Sequence, residues 1–193
     1  MIHGVGINDA GYVTQNCGWV CPYYSRWKDM IVRCYSPKRL SKKSSYVGCV
    51  VCEEWRTFSN FRRWMVKQEE TLGDLSDLTL DKDILSGVNK VYAPEHCVFV
   101  TTDVNKFFCD HSSKHSHMIG AQLRSNGKYR CRVSDPNTHK VVGCGNYDTE
   151  LEAHNAWGKK RYEFALIFAQ SPQVVDNRVR IKIIERYEAY NVY

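Results

Sequence analysis

Along the first half of the chain, apolar residues recur with helical spacing in two places. In "SRWKDMIVRCYSP", Trp27, Met30, Ile31 and Cys34 fall at i, i+3, i+4 and i+7, with Arg26, Lys28 and Arg33 off that stripe. Ser25 is placed to cap this helix and Pro37 to stop it. In "CVVCEEWRTFSNFRRWMVKQ", Phe58, Phe61 and Met65 repeat the spacing, with Trp64 beside them and Arg62-Arg63 pointing elsewhere. These aromatics read as core. Residues 1–24, rich in Gly, Asn and Tyr, read as an irregular arm. "KRLSKKSSYVG" reads as a basic, serine-rich loop and 69–77 as an acidic connector. From Leu78 the pattern shortens. "LTLD" and "EHCVFVT" are strand candidates, separated by a turn in which Gly87 and Asn89 can take left-handed conformations. "TDVNKFF" opens a short helix capped by Thr102 or Asp103. The order is strand, turn, strand, helix, that of a ββα unit.

"CDHSSKHSH" at 109–117 is polar and carries three histidines. It is the best domain boundary, and reads as flexible linker ahead of metal tract. From Met118 the period becomes two. In "AQLRSNGKYRCRVSD", Lys128, Arg130 and Arg132 face one way, and Tyr129, Cys131 and Val133 the other. Asn126-Gly127 is a hairpin signal, Asp135-Pro136-Asn137 a second turn, and "KVVGCGNY" a third strand. A helix follows, with Thr149 and Glu152 in capping-box spacing and Ala153, Ala156, Trp157 and Phe164 as its buried face. The tail "NRVRIKIIERYEAY" is an amphipathic helix or strand. The expected fold class is α+β, with parts at 1–110, 111–117 (linker), 118–170 and 171–193 (tail).

Composition narrows the function classes. Apolar residues make up 43% and charged residues 25%, so long disorder is not expected. No apolar run reaches the roughly 20 residues of a membrane span, and Met1-Ile2-His3-Gly4 lacks a signal-peptide layout. A cytoplasmic protein with no membrane partner is expected. The net charge of +6 is uneven. Arg26 to Lys43 holds seven Lys/Arg against Asp29 alone, and Ile119 to Val133 holds four Lys/Arg and no acid. Such patches are either solvated faces or the footprint of a polyanion, most simply nucleic acid. The nine cysteines are odd in number, which argues against a disulfide framework. Cys49-x-x-Cys52 and Cys17-x-x-x-Cys21 are far apart for a zinc ribbon, so buried thiols explain most of them.

Residues 1–108 resemble the phage HNH-type homing endonuclease-like proteins. The matching pieces are "HG" at 3–4, "WKDMIVRCY" at 27–35, Tyr46 to Trp64, "LDKDI" at 80–84, and "YAPEHCVFV" at 92–100 followed by Asn105. The stretch Ile119 to Ala165 resembles the ethylene-response-factor type (APETALA type) of DNA-binding domain, through "IGAQLRSNGKYRCRVSDP" and "VVGCGNYDTELEAHNAW".

The first resemblance implies metal-dependent hydrolysis of DNA phosphodiesters, as a nick or a double-strand cut. It places Asp81 as a ligand of Mg²⁺ or Mn²⁺, with His96 as ligand or base, Asp83 as a further oxygen ligand and Asn105 at the helix position. Lys82 stands where the family has its histidine base. With a reference pKa of about 10.4 a lysine does not accept a proton at neutral pH, so its role would be charge near the phosphate. The other reading of these residues is that Asp81 and Asp83 cap a turn and His96 packs at a strand end. His3, Cys34, Cys52 and Cys97 lie in the matching pieces and are a candidate structural Zn²⁺ set. The second resemblance implies a sheet that enters the DNA major groove, here presenting Gln122, Arg124, Lys128, Arg130 and Arg132. The expectation is a DNA endonuclease. The rivals are a catalytically inactive DNA-binding or anti-host protein of the same fold, and an RNA binder.

Overall fold

The computed structural model describes residues 1–87, 89–109 and 117–192, apart from the side chain of Val192. It divides into two units, Met1–Phe99 and Val100–Tyr193. The division falls ahead of the expected one at 110, and 171–193 belongs to the second unit instead of trailing from it. Of the 109–117 tract, residues 110–116 lie outside the described residues.

In the first unit a two-stranded hairpin, β1 (Gln15–Asn16) and β2 (Trp19–Val20), precedes helix α1 (Pro22–Tyr35). The helix starts earlier than Ser25 because Pro22 occupies its first turn, where a missing N–H costs nothing and φ is already helical. A short helix α2 (Pro37–Leu40) follows in the basic stretch expected to be loop. Strand β3 (Val50–Val51) leads to α3 (Phe58–Leu72), which takes in Glu69 and Glu70 from the expected connector. One reason is tertiary: the Tyr23 hydroxyl donates to the Glu69 carboxylate at 2.6 Å, tying α1 to the last turns of α3.

The facing stripes of α1 and α3 form the core as expected. Trp27, Ile31, Phe58, Phe61 and Met65 are each at most 1% exposed. Each such side chain contributes roughly 1.5–3 kcal/mol by leaving water. Trp55 enters between them, and the Trp27 indole N–H donates to its carbonyl at 2.7 Å. The arm at 1–24 is less irregular than expected. Ile7 bridges Thr57, its N–H donating to Arg56 O and its carbonyl accepting from Phe58 N–H.

Three short strands complete this unit's order: β4 (Thr79–Asp81), β5 (Val91–Tyr92) and β6 (Val98–Val100). β4 pairs with β6, matching the two strands expected, and β5 pairs in parallel with β3.

The second unit opens with α4 (Thr102–Phe108), capped one residue earlier than expected by Thr101, whose hydroxyl accepts the Val104 N–H. Strands β7 (Ala121–Leu123), β8 (Tyr129–Ser134) and β9 (Val141–Tyr147) form an antiparallel sheet in that order. Helix α5 (Glu150–Ala169) carries the expected Thr149–Glu152 capping box and covers one sheet face. Cys131, Val133, Ala153, Trp157 and Phe164 are buried there, while Ala156 is only half-buried. The tail forms helix α6 (Asn177–Glu185), settling its helix-or-strand alternatives, and packs on α5 through Val179 and Ile183.

The whole is mixed α+β, with one three-stranded antiparallel sheet. Among the described residues no helix is long and apolar enough to cross a membrane.

Candidate nucleic-acid interface and the Asp81 loop

The face of the β7–β9 sheet turned away from α5 is set by cross-strand register. Gln122 pairs with Arg130 and Arg130 with Asn146, so these three side chains form one row on one face. Two residues along β8, Arg132 faces Gly143, and beyond it Ser134 faces Val141. The alternation expected from sequence holds: Arg130 and Arg132 stand opposite in direction to the buried Cys131 and Val133. Arg124 follows β7, its N–H donating to the Lys128 carbonyl as the hairpin closes.

A bulge decides what β9 contributes to that face. Cys131 pairs with Gly145, yet Arg132 pairs with Gly143, so Cys144 is the extra residue. Without it, strict alternation from Gly143 would turn Tyr147 outward and Asn146 inward. With it, Asn146 is exposed on the arginine face, and the Tyr147 hydroxyl donates to the Cys144 carbonyl at 2.7 Å. Cys144 meets Cys131 behind the sheet. Burial first, then a hydrogen bond with Cys144, pushes the Cys131 thiol up to about 12.

Among the described residues, the side chains of Gln122, Arg124, Arg130, Arg132 and Asn146 have no hydrogen-bond or ion-pair partner. Lys128 differs, lying 2.9 Å from the Asp148 carboxylate. In the other basic patch, Arg26 to Lys43, Arg26, Lys28, Arg33 and Arg39 are engaged within the first unit, while Lys38, Lys42 and Lys43 are exposed. Arg26 donates to the carbonyls of Leu75, Ser76 and Leu78 and lies over the Phe99 ring. Arg33 and Arg39 reach Asp29, and Lys28 reaches Gln15. The arginines of the two patches therefore have two fates: carbonyl capping and ion pairing in the first unit, an open face in the second.

Asp81 ends β4 and turns the chain. Its Oδ1 accepts the N–H groups of Asp83 and Ile84, at 2.8 and 2.9 Å. Burial, with the Asp83 charge adding to it, raises its carboxyl above the usual range despite those two donors. Lys82 turns inward and is 5% exposed. Its ammonium is hydrogen-bonded to Asp83, reaches the Asn89 carbonyl at 3.4 Å and lies over the Tyr92 ring. Burial alone would lower its pKa. The hydrogen bond and charge of Asp83, with Cys49 and Asp81 behind them, outweigh it and raise the pKa. Lys82 is thus held as a cation that pins the loop. It is not presented to solvent, where a phosphate would meet it, and it does not accept a proton.

His96 lies in the turn before β6, its N–H donating to Ala93 O. Its side chain meets Glu95 at 3.7 Å, and among the described residues no hydrogen bond or ion pair joins it to Asp81. Its neighbour Cys97 faces that way: burial, with the charges of Asp81 and Cys52 near it, pushes this thiol up to about 12. Asn105 lies half-buried on α4, in the second unit. Asp81 thus caps a turn, as the alternative reading has it, while the Asp83 carboxylate holds the Lys82 ammonium instead. One Asp81 oxygen is taken by two N–H groups and one Asp83 oxygen by an ammonium, and among the described residues His96 is not grouped with them to hold a metal ion.

The zinc set His3, Cys34, Cys52 and Cys97 also does not converge. Burial and the neighbouring Cys49 push the Cys34 thiol up to about 12, and burial raises that of Cys52. Among the described residues no three His, Cys, Asp or Glu side chains are grouped to hold a metal ion.

The sequence reading missed Asn146, and also Asp148 as the tether of Lys128. Alternation alone puts Asn146 on the wrong face, and the only local hint of the bulge is the Gly-Cys-Gly at 143–145. No family model matches the chain, and no curated protein or solved structure matches it either.

Proposed function

We propose that this chain is a duplex-DNA-binding protein that lays the outer face of its β7–β9 sheet on the nucleic acid. One observation carries the reading. Arg124, Arg130 and Arg132, with Gln122 and Asn146, share a face and have no hydrogen-bond or ion-pair partner among the described residues. A guanidinium with five donors and no internal acceptor suits phosphate and base edges better than it suits protein. The resemblance of Ile119 to Ala165 to sheet-type DNA readers points the same way. The test is fluorescence anisotropy with a labelled duplex between 50 and 200 mM salt. Affinity falls steeply with salt and is lost in Arg124→Ala/Arg130→Ala/Arg132→Ala. Tighter binding to an RNA duplex of the same sequence transfers the reading to RNA, and salt-insensitive or absent binding removes it.

A second reading, DNA hydrolysis by the first unit, is favoured by the placement of Asp81 at the end of a paired strand, with burial raising its carboxyl. Against it stand the inward Lys82 and the ungrouped ligand set among the described residues, which favour the non-catalytic form. Supercoiled plasmid incubated with Mg²⁺ or Mn²⁺ separates the two. Nicking that Asp81→Ala abolishes establishes the enzyme, and binding without nicking leaves the DNA-binding protein alone.

A further inference from the structure

Strand β8 outruns one of its neighbours. Its last pair with β7 is Cys131 with Ala121, while β8 itself continues to Ser134. On the other side β9 keeps pace, and the Asp135 N–H donates to the Lys140 carbonyl. Antiparallel alternation then turns the N–H and carbonyl of Ser134 away from β9, toward the edge that β7 leaves bare. Between that edge and α4 lies a cavity of about 400 Å³, lined wholly by the second unit. Its size falls in the range of small-molecule sites, roughly 300–1,000 Å³. Phe107, Ile119, Val133 and Trp157 supply its apolar wall.

The polar groups around this cavity are unequally spent. The Asp103 carboxylate lies 3.3 Å from the Lys106 ammonium and 3.7 Å from the His139 imidazole. The Asp135 carboxylate accepts the Asn137 N–H and the Thr138 hydroxyl. The Ser134 carbonyl accepts from Arg161. Two donors are left over. One is the Ser134 N–H, which faces the same bare edge. The other is the guanidinium of Arg132, which lines the cavity and has no hydrogen-bond or ion-pair partner among the described residues. His139 adds a third sign. Its φ of 58 lies in the left-handed region, which glycine or asparagine enters more easily. A histidine kept there stands at the cavity mouth, its side chain 62% exposed beside Asp103.

We infer that this cleft binds a small monocarboxylate with an apolar body. The carboxylate is met by Arg132 and the Ser134 N–H, and the body packs on Phe107, Val133 and Trp157. The acids of the lining already have donors and the leftover groups are donors, so the missing partner is an acceptor with negative charge. One charge suits the site better than two, because Asp103 and Asp135 repel a dianionic phosphate. A peptide strand is a poorer fit, since the Ser134 carbonyl is committed to Arg161 and breaks the ladder that a strand would extend. The site stands apart from the DNA-binding proposal, although Arg132 belongs to both.

The experiment is calorimetric titration of the full chain at neutral pH with phenylacetate and indole-3-acetate, each paired with its alcohol, and with phenyl phosphate. Both carboxylates bind, roughly tenfold tighter than the alcohols, and phenyl phosphate binds more weakly than either. Arg132→Gln removes the preference for acid over alcohol. His139→Asn, which suits the left-handed backbone, weakens acid and alcohol alike and leaves the melting temperature near that of wild type. In ¹⁵N-labelled protein the Trp157 indole N–H signal, assigned with Trp157→Phe, moves as phenylacetate is added. No binding of either carboxylate, binding no tighter than that of the alcohols, tighter binding of phenyl phosphate, or a Trp157 signal that stays in place overturns the inference. Each of these results leaves the DNA-binding proposal standing, since that is read by anisotropy with a duplex.

Discussion

The ammonium of Lys82 is hydrogen-bonded to the carboxylate of its sequence neighbour Asp83, with the lysine side chain 5% exposed and the aspartate 60% exposed. The charge pair is therefore lopsided: one partner is desolvated and depends on the other, which water can also serve. Asp83→Asn weakens the loop through the lysine it leaves behind, costing roughly 1–2 kcal/mol. Lys82→Met, which removes the buried charge and keeps the volume, costs less than Asp83→Asn. Urea midpoints of the two variants at neutral pH check the ordering, and the reverse order would show that the buried ammonium does not depend on Asp83.

Asp81 gives a pH-dependent signature. Its folded pKa lies above the unfolded value of about 3.9, because burial disfavours the carboxylate more than the two backbone donors favour it. The folded state then holds its proton more tightly, so this residue's contribution to stability is greatest at low pH. It falls as pH rises from the unfolded value through the folded one. Asp81→Asn keeps an oxygen for the N–H groups of Asp83 and Ile84 and removes the charge. The variant matches wild type below about pH 4 and is at least as stable at pH 7. Unfolding free energies measured at both pH values check this. A variant less stable at pH 7 than at pH 4, relative to wild type, contradicts it.

Arg161 is a cation on the inner side of α5, 8% exposed. It donates to the carbonyls of Phe107 and Ser134 and to the Tyr187 hydroxyl, and its guanidinium lies 4.1 Å from the Phe107 ring centre. Arg161→Met fills similar volume but withdraws these donors, and destabilises the second unit by roughly 2–4 kcal/mol. Arg161→Lys recovers only part of the loss, since an ammonium lacks the planar fork. Thermal melting of the three proteins checks both statements.

The two basic patches respond differently to truncation. On the proposal that the outer sheet face binds duplex DNA, Arg124→Ala lowers the slope of log affinity against log salt by about 0.9 and leaves the melting temperature near that of wild type. Arg26→Ala lowers the melting temperature, because three carbonyls lose their donor, and leaves the slope unchanged. Anisotropy titrations at four salt concentrations, paired with melting curves, separate the roles.

Much of the local structure was legible because it is governed by neighbours in sequence. The stripes of Trp27–Cys34 and Phe58–Met65, the Thr149–Glu152 box and the alternation of Tyr129 to Val133 all appear as expected. Element ends were less legible. The start of α1 turned on Pro22, a local signal passed over, while the reach of α3 to Leu72 follows a bond from Tyr23 to Glu69 that no window along the chain contains.

Local pattern alone assigned the longer helices other than the tail, the three-stranded sheet, the mixed α+β class and the direction of the arginines on β8, since backbone period and side-chain polarity act over a few residues. Only the tertiary structure decided which cations are spent and which are open. Arg26 and Arg130 have the same side chain, but one finds carbonyls some fifty residues away and the other finds solvent. It also decided that Lys82 turns inward and that Asn146 turns outward. Burial is a property of what packs from elsewhere, and a single bulged residue inverts every facing beyond it.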